Sequence, residues 1–303
     1  MEIILVLSFV IYKVECIENK EIAMVNEKFK NVEIHPSSFV DERAEIGEGT
    51  KIGPWCIIGP DVKIGKNNVL KSNVIIEGKT TIGDDNLIHQ FVIIGNKSHD
   101  LKFTAEQATT VTIGNHCDIR EFTNIHAGTP NGAKGTWIGN NVFLMSHTHI
   151  GHDCEVRDGA LLSQATTLGG EVIIQEKAII GGCSAIHQFC TVGKYAIIGG
   201  CSKITQDVIP FSMSDGNPQS LDGLNMVGLK RNKFSLDDIR TIKDVYKALF
   251  ISDEGLWSER LSMAKSVYSG RPVADEIFNF IEHDSRRIIC KPRKNNNSSE
   301  SED

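Results

Sequence analysis

Three histidines and an aspartate lie close together in the stretch FLMSHTHIGHDC, residues 143–154: His147, His149, His152 and Asp153. Imidazole is the commonest general base in proteins because its pKa lies near neutral pH, and it is also a common metal ligand. A neighbouring carboxylate can orient or polarise such a base. These residue types therefore allow acid–base catalysis, a metal site, or ordinary polar residues on a surface. The positions of the side chains decide among the three.

The composition excludes some classes of protein. The chain has 303 residues, which is enough for one large and one small domain, and a formal net charge of -7 at pH 7. This charge argues against a broad basic surface, so we expect no nucleic-acid partner. The eight cysteines form no CxxC pair, which is typical of reduced, structural thiols in an intracellular protein.

The two ends of the chain differ from the rest. Ile3 to Tyr12 is apolar but too short to span a membrane as a helix, so we expect no integral membrane segment. It lacks the basic flank and the cleavage site of a signal peptide, and we interpret residues 1–30 as an N-terminal extension. Residues 294–303 are polar and of low complexity, which predicts a disordered tail.

An aliphatic residue recurs at every sixth position from Ile34 to Ile94 and again from Ile138 to Ile204. A helix needs apolar residues three and four positions apart and a simple strand needs them two apart, so a period of six fits neither. The period indicates a hexapeptide solenoid whose short strands stack into parallel sheets. In known folds of this kind, three hexads form a triangular left-handed coil, with Gly and Asn relieving the backbone at its corners. We predict a mainly β protein, with a left-handed parallel β-helix over residues 31–217.

Two interruptions of the repeat predict long loops. Ile94 and Ile113 are 19 positions apart, and Ile125 and Ile138 are 13 apart, where an unbroken repeat would give six. With three hexads per coil, both loops leave the prism from one edge. Residues from distant parts of the chain fall on the same edge: His126, His152, His187 and Gln188. Because long loops in a compact repeat are usually functional, this edge is the predicted site.

The chemistry of this edge suits acyl transfer. His152 is the predicted general base, and Asp153 is placed to support it if the corner relaxes the usual strand alternation. Gly170 lies one coil above His152, where its backbone N–H can approach a reacting carbonyl and stabilise an oxyanion. A base beside an oxyanion donor favours transfer of an acyl group to a hydroxyl group.

Two other interpretations stay open. Zinc could bind between subunits through His147, His149 and His152, which would give a zinc-dependent enzyme like the β-helix carbonic anhydrases. Alternatively, the histidines are polar residues of a catalytically silent scaffold. The hexad positions of His147 and His149 differ from those of His126 and His187, which argues against the metal site, and we expect no metal.

Several motifs occur in a characteristic order between about residues 30 and 293: HDLKF, IREFTNIHAGT, HIGHDC, AIHQFC and GLNMVGLKRN. Their order and spacing resemble the UDP-N-acetylglucosamine acyltransferases, a family of hexapeptide-repeat enzymes. The resemblance implies transfer of an (R)-3-hydroxyacyl group from acyl carrier protein to the 3-hydroxyl of UDP-N-acetylglucosamine, the first step of lipid A biosynthesis. Within it, His152 matches the general base, Asp153 its support, and Gly170 the backbone oxyanion donor.

The resemblance also carries expectations about the assembly. It implies a homotrimer with each active site between two prisms. It implies no cofactor, since the acyl carrier protein thioester is a co-substrate. The location is expected to be cytoplasmic in a bacterium or mitochondrial in a eukaryote.

Further residues match the family's binding positions. Those implied to hold the sugar nucleotide or the acyl group are Asp100, Lys102, His126, His149, His187 and Gln188. Asn225 and Arg231 lie in the segment implied to meet the uridine and phosphate end. Gly200 matches the residue that measures the far end of the acyl chain.

Several positions depart from the family's pattern, among them Ser163 and Gln164, where the family usually has two asparagines. Glu171, Ala127 and Val227 stand where the family usually has His, Arg and Glu. Each is close in sequence to a predicted site residue, so acylation of another nucleotide sugar stays open as an alternative.

After Pro218 the pattern becomes helical. Ser235 with Asp238 predicts a helix start. An apolar face at helical spacing follows: Ile239, Ile242, Tyr246 and Leu249. Two more helices are predicted over residues 256–268 and 273–281. We therefore predict a small α-helical C-terminal domain over residues 218–293, with basic groups that could dock the acidic acyl carrier protein.

Overall fold

The structure is a computed structural model that describes most of the chain, namely residues 29, 31–99, 109–130, 132, 135–252, 254–283 and 285–293. The predicted disordered tail and almost all of the predicted N-terminal extension lie outside the described residues. Asp100 and Lys102, in the first long loop, also lie outside them.

Short strands form three sheets within these residues. Sheet A contains β1 Glu33–Ile34, β4 Lys51–Ile52, β7 Val69–Leu70, β10 Leu87–Ile88, β13 Asp118–Ile119, β16 Phe143–Leu144, β19 Leu161–Leu162, β22 Ile179–Ile180, β25 Ile197–Ile198, β27 Ser212–Asp215 and β28 Ser220–Leu224. Sheet B contains β2 Phe39–Val40, β5 Ile57–Ile58, β8 Ile75–Ile76, β11 Ile93–Asn96, β14 Asn124–His126, β17 His149–Ile150, β20 Thr167–Leu168, β23 Ala185–Ile186 and β26 Lys203–Ile204. Sheet C contains β3 Glu45–Ile46, β6 Lys63–Ile64, β9 Lys79–Ile82, β12 Thr110–Ile113, β15 Thr136–Ile138, β18 Glu155–Val156, β21 Ile173–Ile174 and β24 Thr191–Val192.

The winding of these strands follows directly from the six-residue repeat. Through β26, consecutive strands belong to sheets A, B and C in turn, and strands of one sheet that lie one coil apart pair in parallel. Ile150 of β17, for example, lies opposite Leu168 of β20. The hexad residues Ile94, Ile125 and Ile150 are fully buried in the prism. The prediction of a left-handed parallel β-helix is confirmed.

The corners differ from the prediction in one respect. The left-handed backbone conformation falls on the third residue after the inward aliphatic side chain. Glycine and asparagine occupy some of these positions, such as Gly159 with φ 68° and Asn141 with φ 55°, but other residues occupy more of them, such as Asp153 with φ 58° and Glu171 with φ 57°. Glycine more often follows the aliphatic residue directly. A Cβ on Gly151 would lie 2.8 Å from the carbonyl carbon of Gly169 in the next coil. Glycine is therefore required there because adjacent coils approach closely, while the corner tolerates side chains.

Both long loops leave the prism at the same edge, as predicted. The first loop joins β11 to β12 and the second joins β14 to β15, so each connects sheet B to sheet C. We call the corner residues that join each strand of sheet B to the next strand of sheet C the BC edge. The corresponding corners between sheets A and B form the AB edge.

The helices follow a β-hairpin that closes sheet A. In the hairpin, β27 continues sheet A in parallel with β25, while β28 is antiparallel to β27. The helices are α1 Met226–Arg231, α2 Leu236–Tyr246, α3 Trp257–Tyr268 and α4 Pro272–Glu282, with a π-helical turn Lys247–Ile251 after α2. The sequence did not predict the hairpin or α1, since both are short and follow the end of the six-residue period at Ile204.

The predicted start of α2 is confirmed. The Ser235 hydroxyl accepts a hydrogen bond from the Asp238 N–H at 3.0 Å, and the Asp238 carboxylate accepts from the Ser235 N–H at 3.2 Å.

Two further observations concern the described residues. Their cysteines are free thiols, and burial raises the pKa of Cys154 and Cys190 to about 12. Their helices include none that is both long and apolar enough to cross a membrane.

The last described segment, residues 285–293, returns from α4 to the β-helix. A β-bridge joins Ile289 to Asp207, and the Ser285 hydroxyl donates a hydrogen bond to the Asp207 carboxylate. This return of the chain places Arg286 and Arg287 at the BC edge. Nothing in the hexapeptide pattern predicted this return.

Candidate active site

The histidines that the hexad count assigned to a single edge lie at the BC edge. His126 ends β14, His152 follows β17, and His187 follows β23. The imidazole of His149, in β17, points out of the prism next to that of His126, with ring centres 5.0 Å apart. The predicted grouping of His126, His152 and His187 on one edge is therefore confirmed.

His152 is oriented by the residue that follows it. Its Nδ1 lies 2.9 Å from Oδ2 of Asp153. Neighbours on a regular strand would point to opposite faces, but Asp153 has φ 58°, which turns its carboxylate back toward the ring. A carboxylate can only accept a hydrogen bond, so Nδ1 carries the proton. In the neutral ring, Nε2 of His152 then carries the lone pair.

Two threonines hold Asp153 in place, Thr129 through the carboxylate and Thr136 through the backbone. Its Oδ2 accepts hydrogen bonds from the Thr129 N–H at 2.9 Å and the Thr129 hydroxyl at 2.8 Å, and its own N–H donates to the Thr136 hydroxyl at 3.0 Å. The side chain of Asp153 is only 3 % exposed. The sequence analysis missed both threonines. The second long loop supplies Thr129, and its path has no periodic signal.

Gly170 lies directly against the base. A Cβ built on Gly170 would overlap Nε2 and Cε1 of His152, so any side chain there would displace the ring. Within the part of the chain that the structure describes, no backbone carbonyl accepts a hydrogen bond from the Gly170 N–H. The base therefore lies beside a residue whose backbone N–H has no carbonyl partner in the described part of the chain, and proton transfer with oxyanion stabilisation requires a base and such a donor together.

A second group of rings lies beside the base, formed by His99, His126 and His149. The ring centres of His99 and His126 are 4.1 Å apart, and those of His99 and His149 are 5.8 Å apart. Burial lowers the pKa of His149 to about 4, with smaller contributions from the two neighbouring rings. Burial also lowers the pKa of His126, against a hydrogen bond with the Lys97 carbonyl that raises it. Both rings are therefore neutral near pH 7.

The partners of His187 favour the opposite tautomer from that of His152. Nη2 of Arg287 lies 2.7 Å from its Nδ1, and Nε of Arg287 donates to the Gln188 carbonyl at 3.1 Å. Arginine can only donate, so at this shorter contact Nδ1 of His187 accepts and Nε2 carries the proton of the neutral ring. The Gln188 carbonyl oxygen, 3.2 Å from the same Nδ1, then makes no hydrogen bond with it. His187 thus offers an N–H donor where His152 offers a lone pair. Arg287 was not predicted to lie here, because its position depends on the return of the C-terminal segment.

Comparison with known proteins identifies the family. Residues 207–290 match a family model described as UDP N-acetylglucosamine O-acyltransferase, domain 2, and residues 34–130 match one described as the GMPPB C-terminal domain. The acyl-[acyl-carrier-protein]–UDP-N-acetylglucosamine O-acyltransferase of Rickettsia bellii is 44 % identical over 264 residues, which cover 87 % of this chain and 93 % of the relative. The chain belongs to the UDP-N-acetylglucosamine O-acyltransferase family.

Solved structures of this acyltransferase family agree with the fold. The UDP-N-acetylglucosamine acyltransferase of Francisella novicida has a TM-score of 0.83 at 35 % identity, covering 87 % of this chain and 95 % of its own. The enzyme of Moraxella catarrhalis has a TM-score of 0.78 at 36 % identity, covering 86 % of this chain and 100 % of its own. The resemblance seen in the motifs is confirmed.

The departures from the acyltransferase pattern have structural settings of their own. Glu171 accepts a hydrogen bond from Nη1 of Arg286 at 3.3 Å, and the guanidinium of Arg286 lies 4.5 Å from the ring centre of Phe189. Ala127 is buried next to His126, and Val227 in α1 is 62 % exposed. Glu171 therefore helps to bind the C-terminal segment to the edge of the site.

The remaining predicted positions of the acyltransferase stay predictions as to role. Asn225 caps α1: its Oδ1 accepts from the Gly228 N–H at 2.9 Å and its Nδ2 donates to the Tyr195 carbonyl at 2.8 Å. Arg231 is exposed at the end of α1. Gly200 is exposed at the AB edge, after β25.

The zinc alternative named a set of histidines that the structure does not assemble. His147 stacks on Phe122, with ring centres 4.8 Å apart, and His152 bonds to Asp153. In the described residues, the group of three whose ligand atoms do meet is His99, His126 and His149. The alternative therefore finds no support within one chain, because His147 lies at the AB edge before β17, His149 lies in β17 and His152 lies at the BC edge.

Proposed function

We propose that this acyltransferase moves an (R)-3-hydroxyacyl group from acyl carrier protein to the 3-hydroxyl of UDP-N-acetylglucosamine, the first step of lipid A biosynthesis. The observation that carries the proposal is the His152 ring, oriented by Asp153 and in contact with Gly170. Membership of the family supports the identity of the two substrates.

The reaction follows from the protonation state of His152. Its Nε2 takes the proton of the sugar hydroxyl as the hydroxyl oxygen attacks the thioester carbonyl. The Gly170 N–H donates to the resulting oxyanion. The tetrahedral intermediate then collapses and breaks the carbon–sulfur bond, and the carrier's thiolate receives the proton from Nε2. Asp153 stabilises the imidazolium between these steps, and no cofactor is needed.

The surrounding residues are proposed to bind the two substrates. His126, His149, His187 and Gln188 would hold the sugar nucleotide or the acyl group. Asp100 and Lys102 would reach the same substrates from the first loop, and the exposed Arg231 would meet the nucleotide's phosphates. The basic side chains of the C-terminal segment would attract the acidic acyl carrier protein.

The assembly is proposed to be a homotrimer with each site between two prisms. An exposed aromatic column along the AB edge supports this proposal, since such surfaces are typical of subunit contacts. The column consists of Trp55, Phe91, Phe122 and His147. Phe91 and Phe122 stack with ring centres 5.0 Å apart. We propose a cytoplasmic location in a bacterial source and a mitochondrial one in a eukaryotic source.

Product formation from defined substrates tests the function. Purified protein is incubated with (R)-3-hydroxyacyl-acyl carrier protein and UDP-N-acetylglucosamine, with and without a chelator, and the acylated nucleotide is detected by mass spectrometry. We expect equal product in both conditions and none with the His152→Ala variant. UDP-N-acetylgalactosamine offered in competition tests the alternative sugar. Product only from that sugar, or only without chelator, would contradict the proposal.

A further inference from the structure

The three-histidine pocket has a feature that the proposed reaction does not use. His126 is 2 % exposed, and its Nδ1 lies 2.8 Å from the Lys97 carbonyl oxygen. A carbonyl can only accept, so Nδ1 carries the proton and Nε2 has the lone pair. That Nε2 is fully buried and has no hydrogen-bond partner among the described residues. An unpaired buried lone pair costs free energy unless a ligand meets it.

Two more imidazoles lie beside that of His126, with ring centres 4.1 Å and 5.0 Å away. One ring nitrogen from each of His99, His126 and His149 lies within 4.8 Å of the other two. In metal-bound histidines the ring nitrogen that does not bind the ion often donates a hydrogen bond to a backbone carbonyl, as Nδ1 of His126 does here. We propose that His99, His126 and His149 bind one divalent transition-metal ion of the zinc class.

The geometry and the donor set fit such an ion. Ligand nitrogens in a tetrahedral zinc site are about 3.4 Å apart, so nitrogens within 4.8 Å of one another must approach by up to about 1.4 Å. His99 can make that movement, because it is exposed and lies in the loop after β11, whereas His126 is fixed by its hydrogen bond. Three neutral nitrogen ligands favour zinc, copper or nickel over magnesium or calcium, which prefer oxygen.

The ion would compete with substrate and would not serve as a cofactor. This step rests on the proposed function, which places the sugar nucleotide against His126 and His149. An ion held by these two rings occupies the space that the substrate needs. Zinc then inhibits the acyltransferase by raising the apparent KM for UDP-N-acetylglucosamine.

Direct titration tests the site without reference to activity. Zn²⁺ is added to chelator-stripped full-length protein in a calorimeter, with Mg²⁺ as the comparison ion. We expect one Zn²⁺ per chain, no Mg²⁺ heat, and at least a tenfold weaker Zn²⁺ affinity in His99→Gln. His116→Asn is the matched control, because it removes an exposed histidine at another corner. The double variant Cys183→Ser, Cys201→Ser controls for the exposed thiols.

The outcomes separate this inference from the proposed function. No saturable Zn²⁺ binding, or equal affinity in His99→Gln and the unchanged protein, would overturn the site. Zn²⁺ binding without acyltransferase activity would overturn the proposed function and leave the site standing. Added UDP-N-acetylglucosamine should weaken the apparent Zn²⁺ affinity, and the weakening should increase with the concentration of the nucleotide sugar. Unchanged affinity in an active enzyme would overturn the competition alone.

Discussion

His152 and His126 lie on the same edge, one coil apart, yet their partners give them different chemistry. Both carry the proton on Nδ1, but His152 donates it to a carboxylate and His126 to a backbone carbonyl. The side chain of His152 is 23 % exposed, whereas His126 is buried among other imidazoles. A carboxylate stabilises the imidazolium that forms when Nε2 takes a proton. A carbonyl gives far less support, and neighbouring rings oppose the charge.

The difference shows how one residue type serves two purposes at one site. In the proposed reaction His152 gains and loses a proton, since Asp153 offsets the charge. His126 and His149 stay neutral because burial lowers the pKa of each. They suit hydrogen bonding to a substrate or binding of a metal ion. The partner of each ring, more than its place in the repeat, assigns its role.

Replacing His152 and His126 in turn tests this contrast, and we expect it to give the largest effect of all the predictions. His152→Ala should lower kcat by a hundredfold or more, since general-base catalysis contributes about 10²–10⁴. His126→Gln should mainly raise the KM for UDP-N-acetylglucosamine, because it removes a binding contact. Steady-state kinetics on both variants, with His116→Asn as control, measures the split. Comparable losses of kcat at both positions would mean that the two rings do not differ in role.

A methyl group placed against the base should have the next largest effect. Gly170→Ala puts a Cβ into the space of the His152 imidazole, which must then move. Displacing a catalytic group by about 1 Å can cost as much as a hundredfold in rate, so we expect kcat/KM to fall ten- to a hundredfold. Gly59→Ala is the matched control, because its Cβ would meet its nearest neighbour at an ordinary 3.5 Å on the same edge. Full activity in Gly170→Ala with an unchanged melting temperature would contradict the contact.

The neutral pocket should make the protein less stable in acid. His149 has a pKa of about 4 in the folded chain, while an exposed histidine has one near 6.5. Between these values the unfolded chain binds a proton that the folded chain does not. Stability therefore falls as pH drops from 6.5 toward 4, by at most about 1.4 kcal/mol per pH unit and less where solvent screens the partly buried ring.

Urea unfolding at pH 7 and pH 5 measures this effect. The protein concentration is held fixed and a chelator is present, so that assembly and metal binding do not contribute. The unchanged protein should lose more of its unfolding free energy than His149→Gln between the two pH values. Equal losses would show that His149 does not titrate differently in the folded chain.

The sequence predicted those features of the site that depend on the repeat. The hexad count placed His126, His152 and His187 on one edge, because each coil adds a fixed number of residues. It also placed Gly170 one coil above the base, where β20 pairs with β17. The predicted contact between His152 and Asp153 is confirmed, and the left-handed corner at Asp153 accounts for it.

The missed features all depend on segments outside the repeat. Thr129 reaches Asp153 from the second loop, and His99 reaches His126 from the first. Arg287 reaches His187 only because residues 285–293 return from α4 to the β-helix. Loop paths and chain returns are set by tertiary packing, which leaves no period in the sequence. The histidine trio was missed for the same reason, since one of its members lies in a loop.

The prediction with the smallest expected effect compares Gly170 at the BC edge with Gly200 at the AB edge. A Cβ on Gly170 overlaps the base, whereas one on Gly200 would meet the Gly182 carbonyl oxygen at an ordinary 3.4 Å. Gly200 lies 48 residues beyond His152, which is about 2.7 coils or roughly 13 Å at the spacing of paired strands. If the acyl chain runs from the BC edge toward the AB edge, a glycine leaves room for a chain of about 14 carbons. Gly200→Met should therefore shift preference toward about 10 carbons and leave the KM for UDP-N-acetylglucosamine unchanged. A competition between acyl carrier proteins loaded with the two chain lengths measures the ratio, with Gly200→Ala as an intermediate. A ratio unaffected by methionine would show that Gly200 does not bound the acyl chain.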